Sequence, residues 1–222
     1  MRKVYYNLMR KLTLIVPAIG IFLLPAKQGT PQQHPSLKTS SLESHEGMTI
    51  TAEPWTNPSL YKAKFPKKSP YAAGIVAVQV VFRNDSDDSM KINLERIRLN
   101  LTLSEEDHQA LYPLSPDEAA DVIMNPGARD PAKLRRFPFP TGAPRVGHDK
   151  HWTEVQKSIG DAGVQASVVA PHSEVQGLLY FDLRSQFDLL NAAHLYVPEV
   201  VALEKNRGLL YFDIDLSRSA GR

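Results

Sequence analysis

Apolar and polar residues alternate along most of the chain after Gly47. The clearest run is Gly74–Arg83, GIVAVQVVFR. Val76, Val78, Val80 and Phe82 fall on one face of an extended chain. Ile75, Ala77, Gln79, Val81 and Arg83 fall on the other, which grows more polar towards its end. A period of two is the mark of a strand with distinct faces. The same pattern predicts strands over Met48–Glu53, Met90–Leu94, Arg96–Leu103, Val164–Val169, Glu174–Leu183, Leu195–Leu203 and Gly208–Leu216. In the last of these Leu210, Phe212, Ile214 and Leu216 share a face. Pro198 places Leu195–Leu203 at an edge or a bulge, because proline cannot donate to a ladder. Asn84–Ser89, NDSDDS, reads as a turn whose short polar side chains bond their own backbone.

Two segments carry helical signals. Ser115-Pro116-Asp117-Glu118 is a capping box with proline at the first helical position, so a helix is predicted over Pro116–Met124. Lys150–Ala162 places Trp152, Val155 and Ile159 on one side. Gln186–His194 reads as a short helix or an irregular crossing. Pro54–Tyr71 holds four prolines and reads as an ordered loop, since Trp55, Tyr61, Phe65 and Tyr71 are costly to leave in water. Many short strands bracketing two helices predict a mainly β chain, an immunoglobulin-like β-sandwich with a helix-containing insertion at 111–161.

The first 26 residues read differently. Arg2, Lys3, Arg10 and Lys11 precede the uncharged run Leu12–Ala26, which is shorter than the roughly 20 apolar residues of a spanning helix. A basic start, a short apolar stretch and a small residue at the exit predict a signal peptide cut at Ala26–Lys27, and hence a periplasmic or secreted protein. An uncleaved leader would be the chain's only route to a membrane. Residues 27–46, rich in Gln, Ser, Pro and Thr, are expected to form a flexible tether, and 47–222 the folded domain. The leader's cations account for the excess of 26 basic over 24 acidic residues, and the remainder is slightly acidic. That balance does not support nucleic-acid binding. The absence of cysteine excludes disulfides, a thiol nucleophile and a Cys-based zinc site.

The string GIVAVQVVFRNDSDDSMKINLERIRL resembles the core of small bacterial extracytoplasmic domains with an immunoglobulin-like sandwich, and VVAPHSEVQGLLYFDL resembles their later half. The resemblance covers Gly74–Leu103 and Val168–Leu183 and leaves out Leu111–Asp161. Many such domains belong to families of unknown function, so it implies a fold and a location but no reaction.

The candidate chemistry is sparse. Lys133, Arg135, Arg136 and Arg145, interleaved with Phe137 and Phe139, make the segment 128–150 a candidate binding surface for an envelope protein or an acidic polymer. Packing of the two Phe back onto the sheets is the simpler alternative. His148 and His151 have a spacing that could hold a metal, against which stands an exposed helix start with Asp149 favourable to the dipole. Asp85, Asp87 and Asp88 read as a solvated turn rather than a calcium loop, and Asp182, Asp213 and Asp215 as the polar face of a sheet. No catalytic set and no cofactor motif is present. The expected role is a non-enzymatic envelope module, with a glycan or peptide hydrolase as the alternative, its site between the insertion and the sheet.

Overall fold

A computed structural model describes residues 41–102, 107–126 and 149–217. It is mainly β, with three antiparallel four-stranded sheets. The first sheet has the order β1-β2-β3-β8, formed by Ser41–His45, Met48–Pro54, Ile75–Asn84 and Ser173–Asp182. The second, β11-β10-β4-β7, pairs Arg207–Gly208, Val200–Ala202, Met90–Ile92 and Val168–Val169. The third, β12-β9-β5-β6, pairs Phe212–Asp215, Ala193–Val197, Arg98–Thr102 and His108–Leu111. Among the described residues three α-helices accompany them: α1 (Pro58–Lys64), α2 (Pro116–Met124) and α3 (Lys150–Ala162). None of the described helices is long and apolar enough to cross a membrane.

β3 connects two apolar clusters. Its even-numbered residues Val76, Val78, Val80 and Phe82 join a core drawn from all three sheets, with Ile50, Leu99, Leu179, Phe181, Leu195, Phe212, Ile214 and Leu216. Its odd-numbered Ile75 and Ala77 join a second cluster beneath the helices, with Tyr61, Ala120, Ile123, Val155, Ile159 and Tyr180. On this face Gln79 and Val81 are half-buried and Arg83 stands in water. This is the growing polarity of the second face that the sequence predicts.

The helix starts follow their caps. Ser115 Oγ accepts from the Glu118 N–H at 3.2 Å while Glu118 accepts from the Ser115 N–H at 2.8 Å. Asp149 caps α3 by accepting from the Trp152 N–H at 2.8 Å. The two helices are tied by Trp152 Nε1 donating to Asp121 at 2.7 Å and Gln156 donating to Asp117 at 3.2 Å. α1 lies in the segment expected to be a loop. Asn57 caps it at 2.8 Å and Pro58 opens it, but it has only 7 residues and so little room for a periodic signal. Its Tyr61 is fully buried. The phenol accepts from the Ala77 N–H at 2.8 Å and donates to the Trp55 carbonyl at 2.9 Å, bridging one half of a pair whose other half is the direct bond from the Trp55 N–H to the Ala77 carbonyl at 2.8 Å. Burial pushes the Tyr61 and Tyr180 phenols well above their ordinary pKa.

Several expectations are corrected. The tether expected over 27–46 is a strand from Ser41, because Glu46 (φ 52°) and Gly47 (φ 81°) make a tight two-residue turn that pairs β1 back onto β2; residues 27–40 and the leader lie outside the described residues. Of Val164–Val169 only the last two residues are a strand. Gly163–Val164 instead crosses β8 at Gly177, where an added Cβ would sit 2.5 Å from the Val164 nitrogen. Only glycine permits that approach. The expected strand Leu195–Leu203 divides at Pro198 and passes from the third sheet to the second. Gly208–Leu216 also divides, and Leu210 stays 66 % exposed instead of facing the core. The edge strand β6 has no counterpart among the predicted elements.

The turn after β3 is fixed by Asn84, the buried polar residue of the described core. Its amide donates to the carbonyls of Asp88 (2.7 Å), Val169 (3.2 Å) and Ala170 (3.1 Å). Its oxygen accepts from Ser86 N–H at 3.0 Å and Ser86 Oγ at 2.7 Å. One side chain thus joins the first sheet, the turn and the second sheet. Asn84→Asp would set a carboxylate against three carbonyl oxygens, a loss expected at about 3 kcal/mol or more at pH 7. The buried carboxyl would have a raised pKa in the folded state, so the deficit relative to the parent shrinks as pH falls towards about 4. Urea unfolding at both pH values checks this; a small deficit independent of pH would contradict it.

Candidate functional site

The third sheet turns Leu99, Leu101, Leu195, Val197, Phe212 and Ile214 inward. The alternate residues therefore face out, and register arranges them in rows. Arg98 stands beside Tyr196, and Tyr196 beside Asp213. The next row holds Ala110, Asn100, His194 and Asp215. The Arg98 guanidinium lies 4.8 Å over the Tyr196 ring, and the Tyr196 and Tyr211 ring centroids are 5.3 Å apart. His194 Nδ1 approaches Asp213 Oδ1 at 3.4 Å. Neither Arg98 Nε nor His194 Nδ1 makes a hydrogen bond among the described residues. Tyr211 is 54 % exposed. The result is an aromatic platform surrounded by donors and acceptors.

β1 fixes this platform from the side. The free edge of β12 is met by side chains rather than by a ladder. Glu43 accepts from the Asp213 N–H. His45 Nε2 lies 3.2 Å from the Tyr211 carbonyl, and because a carbonyl only accepts, the imidazole donates from Nε2. The His45 ring stacks on Phe212 at 3.8 Å. Tyr211 and Asp213 are thereby held on both flanks.

A concave feature lies elsewhere, on the helical layer. A cleft of about 350 Å³ opens between Phe65–Lys68 and the outward side of α3. Lys67 and Glu154 meet across it at 2.6 Å. The Lys67 hydrogen bond is the main cause that holds the Glu154 carboxyl below its ordinary 4.5, with Lys150 and His151 adding to it.

Most of the candidate binding and metal residues singled out from the sequence cannot be placed. Lys133, Arg135, Arg136, Phe137, Phe139, Arg145 and His148 lie outside the described residues. His151 is exposed in the first turn of α3. Among the described residues no three His, Asp or Glu gather to hold a metal ion. Asp85, Asp87 and Asp88 point to three different partners: Arg83 at 2.9 Å, His172 at 2.9 Å and Lys205 at 2.5 Å. Asp213 and Asp215 do lie on the polar face of a sheet, as expected. Ser173 donates to the Ala170 carbonyl at 2.7 Å, and His172 turns to Asp87. The tyrosine platform was missed because Tyr196 and Tyr211 lie in strands that the sequence assigns wholly to packing.

No protein-family model and no curated protein matches the chain. A solved structure similar to it is that of a functionally unknown protein from Listeria monocytogenes EGD-e. The two are 12 % identical, each is covered over 72 % of its length, and the TM-score is 0.33. Function is therefore argued from the chain's own residues.

The Lys67–Glu154 contact gives a direct expectation. A depressed carboxyl pKa stabilises the fold above its unfolded value, and the effect is lost as pH falls through the folded one. In Lys67→Ala the Glu154 midpoint should rise, because its largest lowering cause, the Lys67 hydrogen bond, is lost. Carboxyl chemical shifts followed through an acid titration measure this; an unmoved midpoint would contradict it.

Proposed function

We propose that this protein is an exported, non-enzymatic module of the bacterial cell envelope, immunoglobulin-like in architecture, that binds a glycan polymer through the outer face of its third sheet. The carrying observation is the pair of a half-buried Tyr196 and an exposed Tyr211, flanked by Arg98, His194 and Asp213. Sugar rings offer C–H faces to aromatic rings and hydroxyls to the donors and acceptors around them. The immunoglobulin-like reading is supported by antiparallel sheets sharing one alternating core. The non-enzymatic reading is supported by the work that the acids do. Glu199 holds Asn93 and Arg96, Glu204 holds Ser89, and Asp88 holds Lys205, each fixing a loop. The Ser89 hydroxyl is the main cause that keeps the Glu204 carboxyl below its ordinary pKa. Export rests on the leader, and the basic segment 128–150 would favour an acidic polymer.

The test is co-sedimentation of the full-length protein, recovered from the envelope, with purified envelope glycan. Tyr196→Ala combined with Tyr211→Ala should weaken binding by about tenfold or more, roughly 1.4 kcal/mol. The soluble fraction should contain no glycan fragments. Undiminished binding by the double variant would remove the site. Fragment release would replace the binding reading with hydrolysis, for which His194 and Asp213 would be the residues to test.

A further inference from the structure

We propose that the cleft between the segment following α1 and the outward side of α3 binds a single-chain amphiphile with an anionic head. This goes beyond the glycan reading and rests on different residues. The floor is apolar: Phe65, Val155 and Ile159 lie at the rim of the second cluster, nearly closed to water. The volume of about 350 Å³ lies at the lower end of the range for small-ligand sites, which pair an apolar lining with a few placed polar groups.

Charge chooses the head. Lys67, Lys68 and Lys157 stand on the walls against Glu154 and Asp161. Glu154 is already neutralised by Lys67 at 2.6 Å. Lys68 and Lys157 therefore face a single further acid. Lys62 and Lys64 in the last turn of α1 extend the positive side, and no acidic residue occurs between Glu53 and Asp85. Lysine suits the task because its ammonium is a mobile point charge that can follow a carboxylate or phosphate head while its stem covers apolar surface. The tail would lie along the exposed Pro66 and the lysine stems, above the buried Phe65 and Ile159, and the head between Lys68 and Lys157.

The experiment is calorimetric titration of the full-length protein with dodecanoate, dodecyl phosphate, dodecyl maltoside and dodecyltrimethylammonium, each below its micelle concentration. The two anions should bind about tenfold or more tightly than the neutral and cationic analogues. Their order separates a free fatty acid from a lipid phosphate as the natural source. Binding of the anions should weaken as salt rises from about 0.1 M to 1 M, where the screening length falls from about 10 Å to 3 Å. Lys68→Glu with Lys157→Glu should abolish the preference for anions. It should leave thermal unfolding nearly unchanged, since Lys68 and Lys157 sit at the surface. Tyr196→Ala with Tyr211→Ala should not affect this binding. The proposal is overturned if no anion binds, if the maltoside binds as well as the anions, or if the double lysine variant keeps the parent's preference.

Discussion

β3 is buried on both of its faces over its first half, and the rest of the fold is arranged around that requirement. A strand covered on one side needs a single apolar layer. A strand carrying Ile75, Val76, Ala77 and Val78 in succession needs two. The other two sheets cover the even-numbered residues, and the helices cover the odd-numbered ones. From Gln79 onward the odd-numbered residues leave the second cluster and become half-buried or exposed. The ends of β3 are then tied off by polar groups. Tyr61 bridges the Ala77 N–H to the Trp55 carbonyl just past the end of β2, and Asn84 holds the turn against the second sheet. Each of these side chains has little freedom, because its partners are buried backbone groups that would otherwise be orphaned.

Both candidate surfaces follow from that arrangement. The helical layer covers only part of the first sheet, and its outer side carries the lysine-lined cleft. The third sheet gives its inner face to the core and is left with an outer face of Arg98, Tyr196, His194 and Asp213. Side chains of β1 hold the edge strand of that face where an open ladder would fray. Strand β9 presents Tyr196 and the residue just before β12 presents Tyr211, whereas the cleft presents lysines on long flexible stems. These properties suit a polymer on one surface and a small amphiphile on the other.

Much of this was legible in the sequence where a local rule is strong. The capping box at Ser115, the alternation from Gly74 to Arg83 and the helical stripe of Lys150–Ala162 each appear as read. Pro198 reads as an edge or a bulge, whereas the strand divides there and passes from the third sheet to the second. Alternation failed at Leu210, because a period of two predicts two faces but cannot tell which one finds a partner. The strand Ser41–His45 was hidden by its polar composition: it lies at a sheet edge, and its one large apolar side chain, Leu42, is 63 % exposed. The tyrosine platform was hidden for another reason. Arg98, Tyr196 and Asp213 are far apart in the chain and become neighbours only through the strand order β12-β9-β5, which no local pattern specifies.

The dependence of the fold on β3 is tested most directly by native-state amide hydrogen exchange. The helices touch the first sheet on one face only, whereas β3 is paired on both edges from Val78 to Asn84 and buried on both sides from Ile75 to Val78. Amides from Val76 to Phe82 should therefore exchange last, at the rate of global unfolding, while those of α2 and α3 exchange through a smaller opening that leaves β3 protected. Loss of β3 protection together with the helices, or helices as slow to exchange as β3, would contradict the account.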